Sequence, residues 1–503
     1  MRLTQAVNQS AASTLLPKGA VRVALYLALT ALCLRILIIH QTGFEGLYGQ
    51  DPFAYLDYAN AFRAAVAQGQ WPPPFFWPIG YPALVAAFSV FGPAALVAQL
   101  ISVVSSTLIV VLTFQITRDV LGDQPHALAA STFAALIVAL AGQMLISSIS
   151  SMSDEVSLFW ATLSAFGLMR YHNRKTLRWL ALAGYALGWA VMTRWVYALL
   201  IPVWGAAILV DFFRRENRSW LPALCFFALG VFPQVALMAH EASLGKVSHL
   251  GDLETYNWSL SNAIAKDIVN PDGHFVYTWP IAVYYALPVI HPSYIFPLFA
   301  LLTMWGVLSL RSKPFLLIFT VGWIGINWIF LAGVSWQNWR FPLAFFPPLA
   351  VLAGAGLGAA LGKWPSKSRL VAVLASAGLA ISLGWGIHDV NVFVERQRTD
   401  RAMADWVLAR VPPNATVITF GITDTLEYFT HLNVVEIFEQ TPSTVKEIVQ
   451  DRTNVFLCLD KNNIETQWVG LAPQTNFHLL RDQFNLRPVD SQSDYTLYAV
   501  SER

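Results

Sequence analysis

The sequence predicts a mainly α-helical membrane protein with many spans and a small α/β domain at its C-terminal end. Of its 503 residues 56% are apolar and 12% are charged, roughly half the charged fraction that is typical of soluble domains. Eleven apolar segments are long enough to cross a bilayer, since about 17 to 25 residues suffice. Residues 395–503, in contrast, carry many charges and contain no apolar segment of that length.

The spans follow one another closely along the first three quarters of the chain. The first, from Val21 to Gln41, follows the basic residues Arg2 and Lys18 and precedes no small-residue cleavage site, so we interpret it as an uncleaved signal anchor. Residues 1–20 are then an N-terminal tail and residues 21–390 a transmembrane domain. The predicted spans are centred near residues 31, 107, 137, 162, 186, 204, 229, 300, 323, 351 and 379.

Basic residues in the short loops predict the orientation. With a cytoplasmic N-terminus, fifteen Lys and Arg residues fall on the inner side and five in the loops on the outer side. This is the bias that membrane insertion produces, and the inverted topology would reverse it. The C-terminal domain is then extracytoplasmic, because eleven spans separate it from the cytoplasmic end.

Two long outer loops, residues 42–97 and 240–291, interrupt the series of spans. The first contains GQDPFAYLDYANAFRAAV, a pattern typical of an amphipathic helix in the headgroup layer. It also contains the apolar segment Tyr81–Phe91, which is too short to span. The second loop is polar and rich in Tyr and Trp, rings that stack on sugars and also form ordinary interface belts.

The C-terminal region alternates between strand and helix patterns, which favours a small α/β domain. ATVITFG, NVVEIF and NVFLCLD predict strands, while TDTLEYFTHL and TPSTVKEIVQ predict helices. The net charge of +2 offers no basic face for a nucleic acid. The three cysteines, Cys33, Cys225 and Cys458, form neither a disulfide framework nor a metal-ligand spacing.

Three acids on the outer side are candidate catalytic residues. Asp51 opens the amphipathic helix just beyond the first span, where burial would raise its pKa toward the range of a general base. A plain helix N-terminal acid stabilised by the dipole is the alternative. Asp154 and Glu155 begin the fourth span after SSISSMS. Either they supply a second carboxylate that faces the same cavity as Asp51, or Ser153 or Asp154 is simply the N-cap of the helix.

Outer-side cations are candidate phosphate ligands. Arg194 in GWAVMTRWVYALLIP and Arg340 in SWQNWRFPLAFF lie on the predicted outer side, although basic residues are concentrated on the inner side. Binding of phosphate would explain their position, because guanidinium groups bind phosphate in a bidentate manner. Snorkelling to the interface is the alternative for both. Lys246 and Lys266 in the second outer loop are weaker candidates. No motif with metal-ligand spacing occurs, so the sequence predicts no metal site, although a divalent metal is compatible with the acids.

These motifs together resemble the GT-C superfamily of membrane glycosyltransferases. The similarity covers roughly residues 20–390 and lies in the order of the first-loop acid, PIGYPALVAAFSVFG, the second-loop acid, TRWVYALLIP and WRFPLAFFPPLAVLAGAGL. The branch that these motifs resemble most contains the protein O-mannosyltransferases and the lipid A aminoarabinose transferase. Members of that branch often place Pro after the middle arginine and Tyr after the late one, whereas this chain has Trp195 and Phe341.

The resemblance implies an inverting transfer of a sugar from a polyprenyl-phosphate donor to a lipid, glycan or protein acceptor, at the outer face of a bacterial plasma membrane. It makes Asp51 the general base and Asp154 or Glu155 an assisting group, with Arg340 and Arg194 on the donor phosphate. Membrane lipid is then a partner and nucleic acid is not. Alternatives are a transporter or flippase of lipid-linked sugars, or a glycan polymerase or ligase. A carrier would show internal repeats and charges near the bilayer midplane, and neither is evident.

Overall fold

The structure is a computed structural model that describes residues 18–214, 220–245 and 257–503. The side chains of Lys18 and of residues 211–214 are not among those described. Most of the predicted N-terminal tail and the candidate phosphate ligand Lys246 lie outside the described residues.

The described residues between 18 and 408 form a bundle of helices, and each of the eleven predicted span centres lies within one of them. The helices in chain order are α1 (Lys18–Thr42), α2 (Asp51–Ala67), α3 (Gly80–Phe88), α4 (Ala94–Leu121), α5 (Ala127–Leu140), α6 (Gly142–Ile149), α7 (Ser153–Arg174), α8 (Leu177–Thr193), α9 (Leu200–Arg214), α10 (Leu221–Ser243), α11 (Ile281–Ala286), α12 (Pro297–Leu310), α13 (Pro314–Leu317), α14 (Trp323–Gly333), α15 (Phe346–Lys363) and α16 (Ser368–Leu408).

Six helical stretches among the described residues are long and apolar enough to cross a bilayer by themselves. A seventh is possible if α5 and α6, which meet at a 58° bend, count as one span. Other helices that contain predicted span centres are shorter or more polar. A membrane protein with many helices is therefore confirmed, while the number of eleven spans stays a prediction.

Helix α15 is the centre of the bundle. In its stretch Phe341–Lys363, 94% of the apolar window is buried within the protein, whereas the other long stretches are at most 56% buried. Small residues allow the close packing: a Cβ built on Gly356 would lie 1.8 Å from the carbonyl oxygen of Leu302 on α12. Without a hydrophobic driving force between helices in lipid, such backbone approach is a main source of association.

The two non-spanning segments of the first outer loop are helical, as the sequence indicates. Helix α2 begins at Asp51 with Pro52 in its first turn, a position where the missing N–H of proline is not needed. It buries Phe53, Tyr55 and Leu56 against α3 and α4. The amphipathic helix is thus packed on the protein through its aromatic side.

The second outer loop contains a small hairpin that the sequence did not reveal. Strand β1 (Asp267–Asn270) pairs with the antiparallel strand β2 (Gly273–Val276). Tyr277 after the hairpin donates its backbone N–H to the carbonyl of Lys266 at 2.7 Å. The hairpin stands beside α14, since Asn270 Nδ2 donates to the carbonyl oxygen of Ser335 at 3.0 Å.

The C-terminal domain is built on a mixed five-stranded sheet in the order β4-β3-β5-β7-β6. Strands β3, β4 and β5 are parallel, and β7 runs antiparallel to both β5 and β6. Its strands and helices are β3 (Thr416–Thr419), α17 (Thr423–Thr430), β4 (Asn433–Glu436), α18 (Pro442–Asp451), β5 (Val455–Asp460), α19 (Lys461–Thr466), α20 (Ala472–Gln483), β6 (Phe484–Gln492) and β7 (Tyr495–Glu502).

Helix α16 joins the bundle to this domain without a break. It runs for 41 residues, so the boundary predicted at residue 395 falls inside a helix. Its far end contributes Met403, Ala404 and Val407 to the core of the C-terminal domain. The last span and the first helix of the domain are thus one element.

The C-terminal domain also touches both outer loops. The ring of Tyr428 on α17 lies 5.4 Å from that of Phe53 on α2. Gln467 Nε2 donates to the carbonyl of Asp272 at 2.9 Å, and the backbone N–H of His274 donates to the carbonyl of Gln467 at 2.7 Å. The domain therefore lies on the side of the bundle that carries α2 and the hairpin.

Candidate functional site

An ion pair joins the first outer loop to the loop before α15. The guanidinium of Arg340 donates through Nη2 to Oδ2 of Asp51. About a quarter of each side chain is exposed, 24% for Arg340 and 25% for Asp51. The two residues are 289 positions apart in the sequence, so the fold alone brings them together.

A second ion pair lies beside the first. Arg194 donates through Nη1 to Oδ1 of Asp154, whose side chain is only 6% exposed. The guanidinium of Arg340 also lies near this pair, because its Nη1 is 3.3 Å from the sulfur of Met152 and its charge interacts with that of Asp154. The site thus consists of two carboxylates and two guanidiniums in alternation.

Local backbone structure explains how Arg194 reaches this place. Helix α8 ends at Thr193, and Arg194 follows in an extended conformation before a short 3₁₀ helix, Trp195–Leu199. Gly80 at the start of α3 packs against this turn: an added Cβ would lie 2.6 Å from Oγ1 of Thr193 and 2.8 Å from the carbonyl oxygen of Met192. The glycine of the PIGYP segment therefore permits the approach of α3 to the end of α8.

The first-loop helix is fixed to the other acid by a tyrosine. The hydroxyls of Tyr55 on α2 and Ser153 at the start of α7 are 2.9 Å apart. Burial, followed by the charge of Asp51, raises the pKa of Tyr55 above its usual value, so this phenol stays protonated at neutral pH. Asp51 and Asp154 are thereby held on neighbouring elements with a neutral hydroxyl between them.

The charges reinforce one another at Arg340. Burial alone would lower its pKa, but the carboxylates of Asp51 and Asp154 outweigh that effect and raise it. Among the described residues Nε of Arg340 and Oδ2 of Asp154 have no hydrogen-bond partner. Buried polar atoms without a partner are costly, and here they mark donor and acceptor capacity that remains available to a ligand.

All four residues line one cavity of about 170 Å³. Its remaining walls are mainly aromatic and aliphatic. Such a lining suits a ligand with an apolar part and one anionic group. The other residues that line it, called here the first cavity, are Tyr55, Trp77, Pro78, Trp195, Val196, Tyr197, Phe330, Leu331, Val334, Phe341, Leu343 and Ala344.

A larger cavity of about 720 Å³ meets the first at the Asp51–Arg340 pair, because both residues line both spaces. This second cavity is bounded by α2, α6, α16 and the loop before α15. Two binding spaces that share one carboxylate are an arrangement suited to a reaction between two substrates.

The remaining predicted site residues are placed elsewhere. Glu155 is fully buried and lines neither cavity; its charge interacts with that of Arg35 on α1. Both of its carboxylate oxygens lack a hydrogen-bond partner among the described residues. Lys266 is exposed beside the hairpin and lines neither cavity.

Sequence reasoning missed Arg35, Tyr55 and Trp77. Arg35 is fully buried and donates to Oγ of Ser106 through Nε at 3.0 Å and Nη2 at 2.8 Å. Its position deep within the apolar first span was a usable signal, because an intramembrane charge needs a partner. Tyr55 and Trp77 carried no comparable signal, since the loop contains many aromatic residues.

The described residues contain no cluster of three or more His, Cys, Asp or Glu side chains with the geometry for a metal ion. Each of Asp51 and Asp154 is also paired with an arginine. The residues present in the described parts of the site therefore do not fit a bound metal.

Comparison of sequences gives a partial family match. Residues 72–237 match the model of the dolichyl-phosphate-mannose-protein mannosyltransferase family, which is about a third of the chain and includes Trp77, Asp154 and Arg194. No curated protein sequence matches the chain.

Comparison of structures gives matches over nearly the whole chain. ArnT from Cupriavidus metallidurans bound to undecaprenyl phosphate has a TM-score of 0.62 at 13% identity, covering 96% of this chain and 98% of that one. The oligosaccharyltransferase of Archaeoglobus fulgidus in complex with Zn and sulfate has a TM-score of 0.55 at 13% identity, covering 95% and 73%. AglB from the same organism, with an inhibitory peptide and a dolichol-phosphate, has a TM-score of 0.51 at 14% identity, covering 96% and 74%. At these identities the matches establish the fold.

Proposed function

Because this chain has the fold of the GT-C superfamily of membrane glycosyltransferases, we propose that it transfers a sugar from a polyprenyl-phosphate donor to an acceptor at the outer face of the membrane. The observation that carries the proposal is the meeting of Asp51, Asp154, Arg194 and Arg340 in one largely apolar cavity. The undecaprenyl phosphate and dolichol-phosphate of the similar structures are lipids of the proposed donor class.

The first cavity is proposed to hold the donor phosphate. Aromatic and aliphatic walls suit the prenyl chain, and the guanidiniums of Arg194 and Arg340 suit the phosphate. As the bond from the sugar to the phosphate breaks, negative charge grows on the phosphate. Two guanidiniums in a site of low dielectric stabilise this charge.

Donor binding is proposed to release the base. In the structure the Arg340 guanidinium forms an ion pair with the Asp51 carboxylate. A donor phosphate that takes over this guanidinium leaves Asp51 free to accept the proton of the acceptor hydroxyl. Attack from the side of Asp51, opposite the leaving phosphate, inverts the anomeric carbon. The role of Asp154 is then to hold the second guanidinium, that of Arg194, in position through their ion pair.

The test is sugar transfer by the purified chain in liposomes supplied with labelled polyprenyl-phosphate sugars. We expect label to leave the lipid with the intact chain, and Asp51→Asn to reduce this rate by about 10²-fold or more, the usual contribution of a general base. Asp57→Asn is the matched control, because Asp57 is an exposed acid on the same helix and lines neither cavity. Transfer by Asp51→Asn at the control's rate would remove Asp51 from the mechanism.

A second variant separates donor binding from catalysis. Arg340→Ala should weaken binding of undecaprenyl phosphate by more than tenfold, since hydrogen bonds to a charged group contribute about 1.5–3 kcal/mol, while Arg63→Ala, an exposed arginine on α2, should not. Equal loss in both variants would contradict the assignment. Label that crosses the bilayer while still on its lipid would instead indicate a flippase.

The proposed orientation has the N-terminus in the cytoplasm and the C-terminal domain outside. The excess of basic residues on the predicted inner side supports it, and the domain lies on the same side of the bundle as Asp51 and the hairpin. Alkaline phosphatase fused after Arg503 should be active in a bacterial host, because it needs an extracytoplasmic location. Fluorescence of a cytoplasmic reporter at that position would reverse the orientation.

A further inference from the structure

The second cavity offers a different chemistry from the first, although the two share the Asp51–Arg340 pair. Its volume of about 720 Å³ exceeds the 170 Å³ of the first. Uncharged hydrogen-bonding side chains, among them Gln143, Ser147 and Asn338, form a larger share of its lining than of the lining of the first cavity. A space of this kind suits a ligand with many hydroxyl groups better than a hydrocarbon chain.

An aromatic wall adds to this polar lining. Trp339 lines the cavity and is held rigidly: its ring lies 4.8 Å from that of His291 and 5.3 Å from that of Tyr284, both edge to face. Its backbone carbonyl accepts a hydrogen bond from the hydroxyl of Tyr294. A fixed indole beside hydrogen-bonding groups is a surface against which a sugar ring can pack.

The ionised groups of the cavity balance one another. Besides the Asp51–Arg340 pair, one carboxylate and one guanidinium contribute, Asp389 and Arg396, both on α16. Burial lowers the pKa of His291, which is therefore neutral at pH 7. The two carboxylates and two guanidiniums of the lining thus cancel, with no excess of guanidinium groups that would favour a phosphate.

We infer that the second cavity binds the acceptor, and that the acceptor presents a neutral, hydroxyl-bearing sugar to Asp51 instead of a phosphate group. The inference rests on the proposed function and names the acceptor class for that site. A hydroxyl that enters from this cavity reaches the Asp51 carboxylate from the side away from Arg194 and Asp154, which line only the first cavity. The two substrates therefore approach the shared carboxylate from separate spaces.

Protection of an introduced thiol tests the inference without knowledge of the natural acceptor. Val392→Cys places a thiol on the rim of the second cavity and Val196→Cys one in the first, in a background where Cys33 and Cys225 are serine. The rate of labelling by a small uncharged methanethiosulfonate reagent is then measured in liposomes. The probes are maltose, maltose 1-phosphate and undecaprenyl phosphate.

Maltose should slow labelling at position 392 and leave position 196 unchanged; at three times its Kd the slowing is about fourfold. Undecaprenyl phosphate should slow labelling at position 196. If maltose 1-phosphate protects position 392 better than maltose does, the acceptor is anionic and the inference is wrong. If undecaprenyl phosphate protects position 196 but neither sugar protects position 392, the inference fails while the proposed donor site stands. Failure of undecaprenyl phosphate at position 196 counts against the proposed function itself.

Discussion

At the scale of single residues, the site is a set of charges that stabilise one another only in pairs. Asp154 is nearly buried and Arg194 is its ion-pair partner. Removing one member of a buried pair leaves an uncompensated charge, which is more harmful than removing both. The pairs therefore serve stability in the resting protein as well as the proposed chemistry.

A double-mutant cycle at this pair follows from that argument. Arg194→Ala should destabilise the protein by roughly 3 kcal/mol, because the Asp154 carboxylate is left buried without its partner. Adding Asp154→Asn should recover much of this loss. The measurement is the midpoint of thermal unfolding in detergent. Additive losses in the double variant would show that the two residues are not coupled.

The residues of the site differ in how far the sequence predicts them. Asp51, Asp154, Arg194 and Arg340 stood out because charges at the edges of apolar segments need a reason, and the structure brings all four to one cavity. Glu155 carried the same signal as Asp154, but the rotation of one residue along α7 turns it toward Arg35 in the interior. Which of two adjacent acids faces a cavity depends on helix phase, which is fixed by packing.

At the scale of elements, the contact between α2 and α17 brings like charges together. Burial, with contributions from Glu436 and Asp57, raises the pKa of Asp424 on α17 to about 7. Asp57 belongs to α2 and Asp424 to the C-terminal domain. The interface between the two domains is therefore sensitive to pH in the neutral range.

The direction of this pH dependence follows from the raised pKa of Asp424. The carboxyl of Asp424 binds its proton more tightly in the folded protein than in the unfolded chain, where the usual pKa is about 3.9. The contribution of this carboxyl to stability is thus higher at pH 4 and falls as the pH rises toward 7. Asp424→Asn should stabilise the protein at pH 8 by about 1 kcal/mol, a value discounted for partial exposure, and have little effect at pH 4.

Thermal unfolding at the two pH values measures this difference. Asp494→Asn, which changes an exposed acid in the turn between β6 and β7, is the control. An equal effect of Asp424→Asn at both pH values would show that the carboxyl is not protonated in the folded protein.

At the scale of the whole molecule, the fold class was predictable and its details were not. Apolar segments of span length and the strand-helix alternation after residue 412 depend on local composition, and the structure has helices and strands at those places. The structural matches confirm the fold that the resemblance implies. The hairpin β1–β2 and the order of the sheet depend on contacts between distant segments, about which local patterns say little.

The continuity of α16 has a consequence for how the molecule tolerates change in length. A helix advances about 1.5 Å and turns about 100° per residue. One alanine inserted between Arg401 and Ala402 should therefore swing α17 away from α2. Cross-linking of Phe53→Cys to Tyr428→Cys by a short bifunctional thiol reagent should then be largely lost. An alanine inserted after Asp494 should leave the cross-link intact, and its survival in the first variant would contradict rigid coupling.

A flexible linker between two domains tolerates insertions of various lengths, because its backbone dihedral angles can change freely. Here the backbone hydrogen bonds of α16 fix the rotation of the C-terminal domain about the helix axis. The same helix holds the end of α1 and the loop after it, because Arg398 donates to the carbonyl of Thr42 and Gln397 donates to the carboxylate of Glu45. Insertions and deletions along residues 391–402 should therefore be harmful according to the rotation they introduce, because that rotation would displace the C-terminal domain from α2 and from the hairpin.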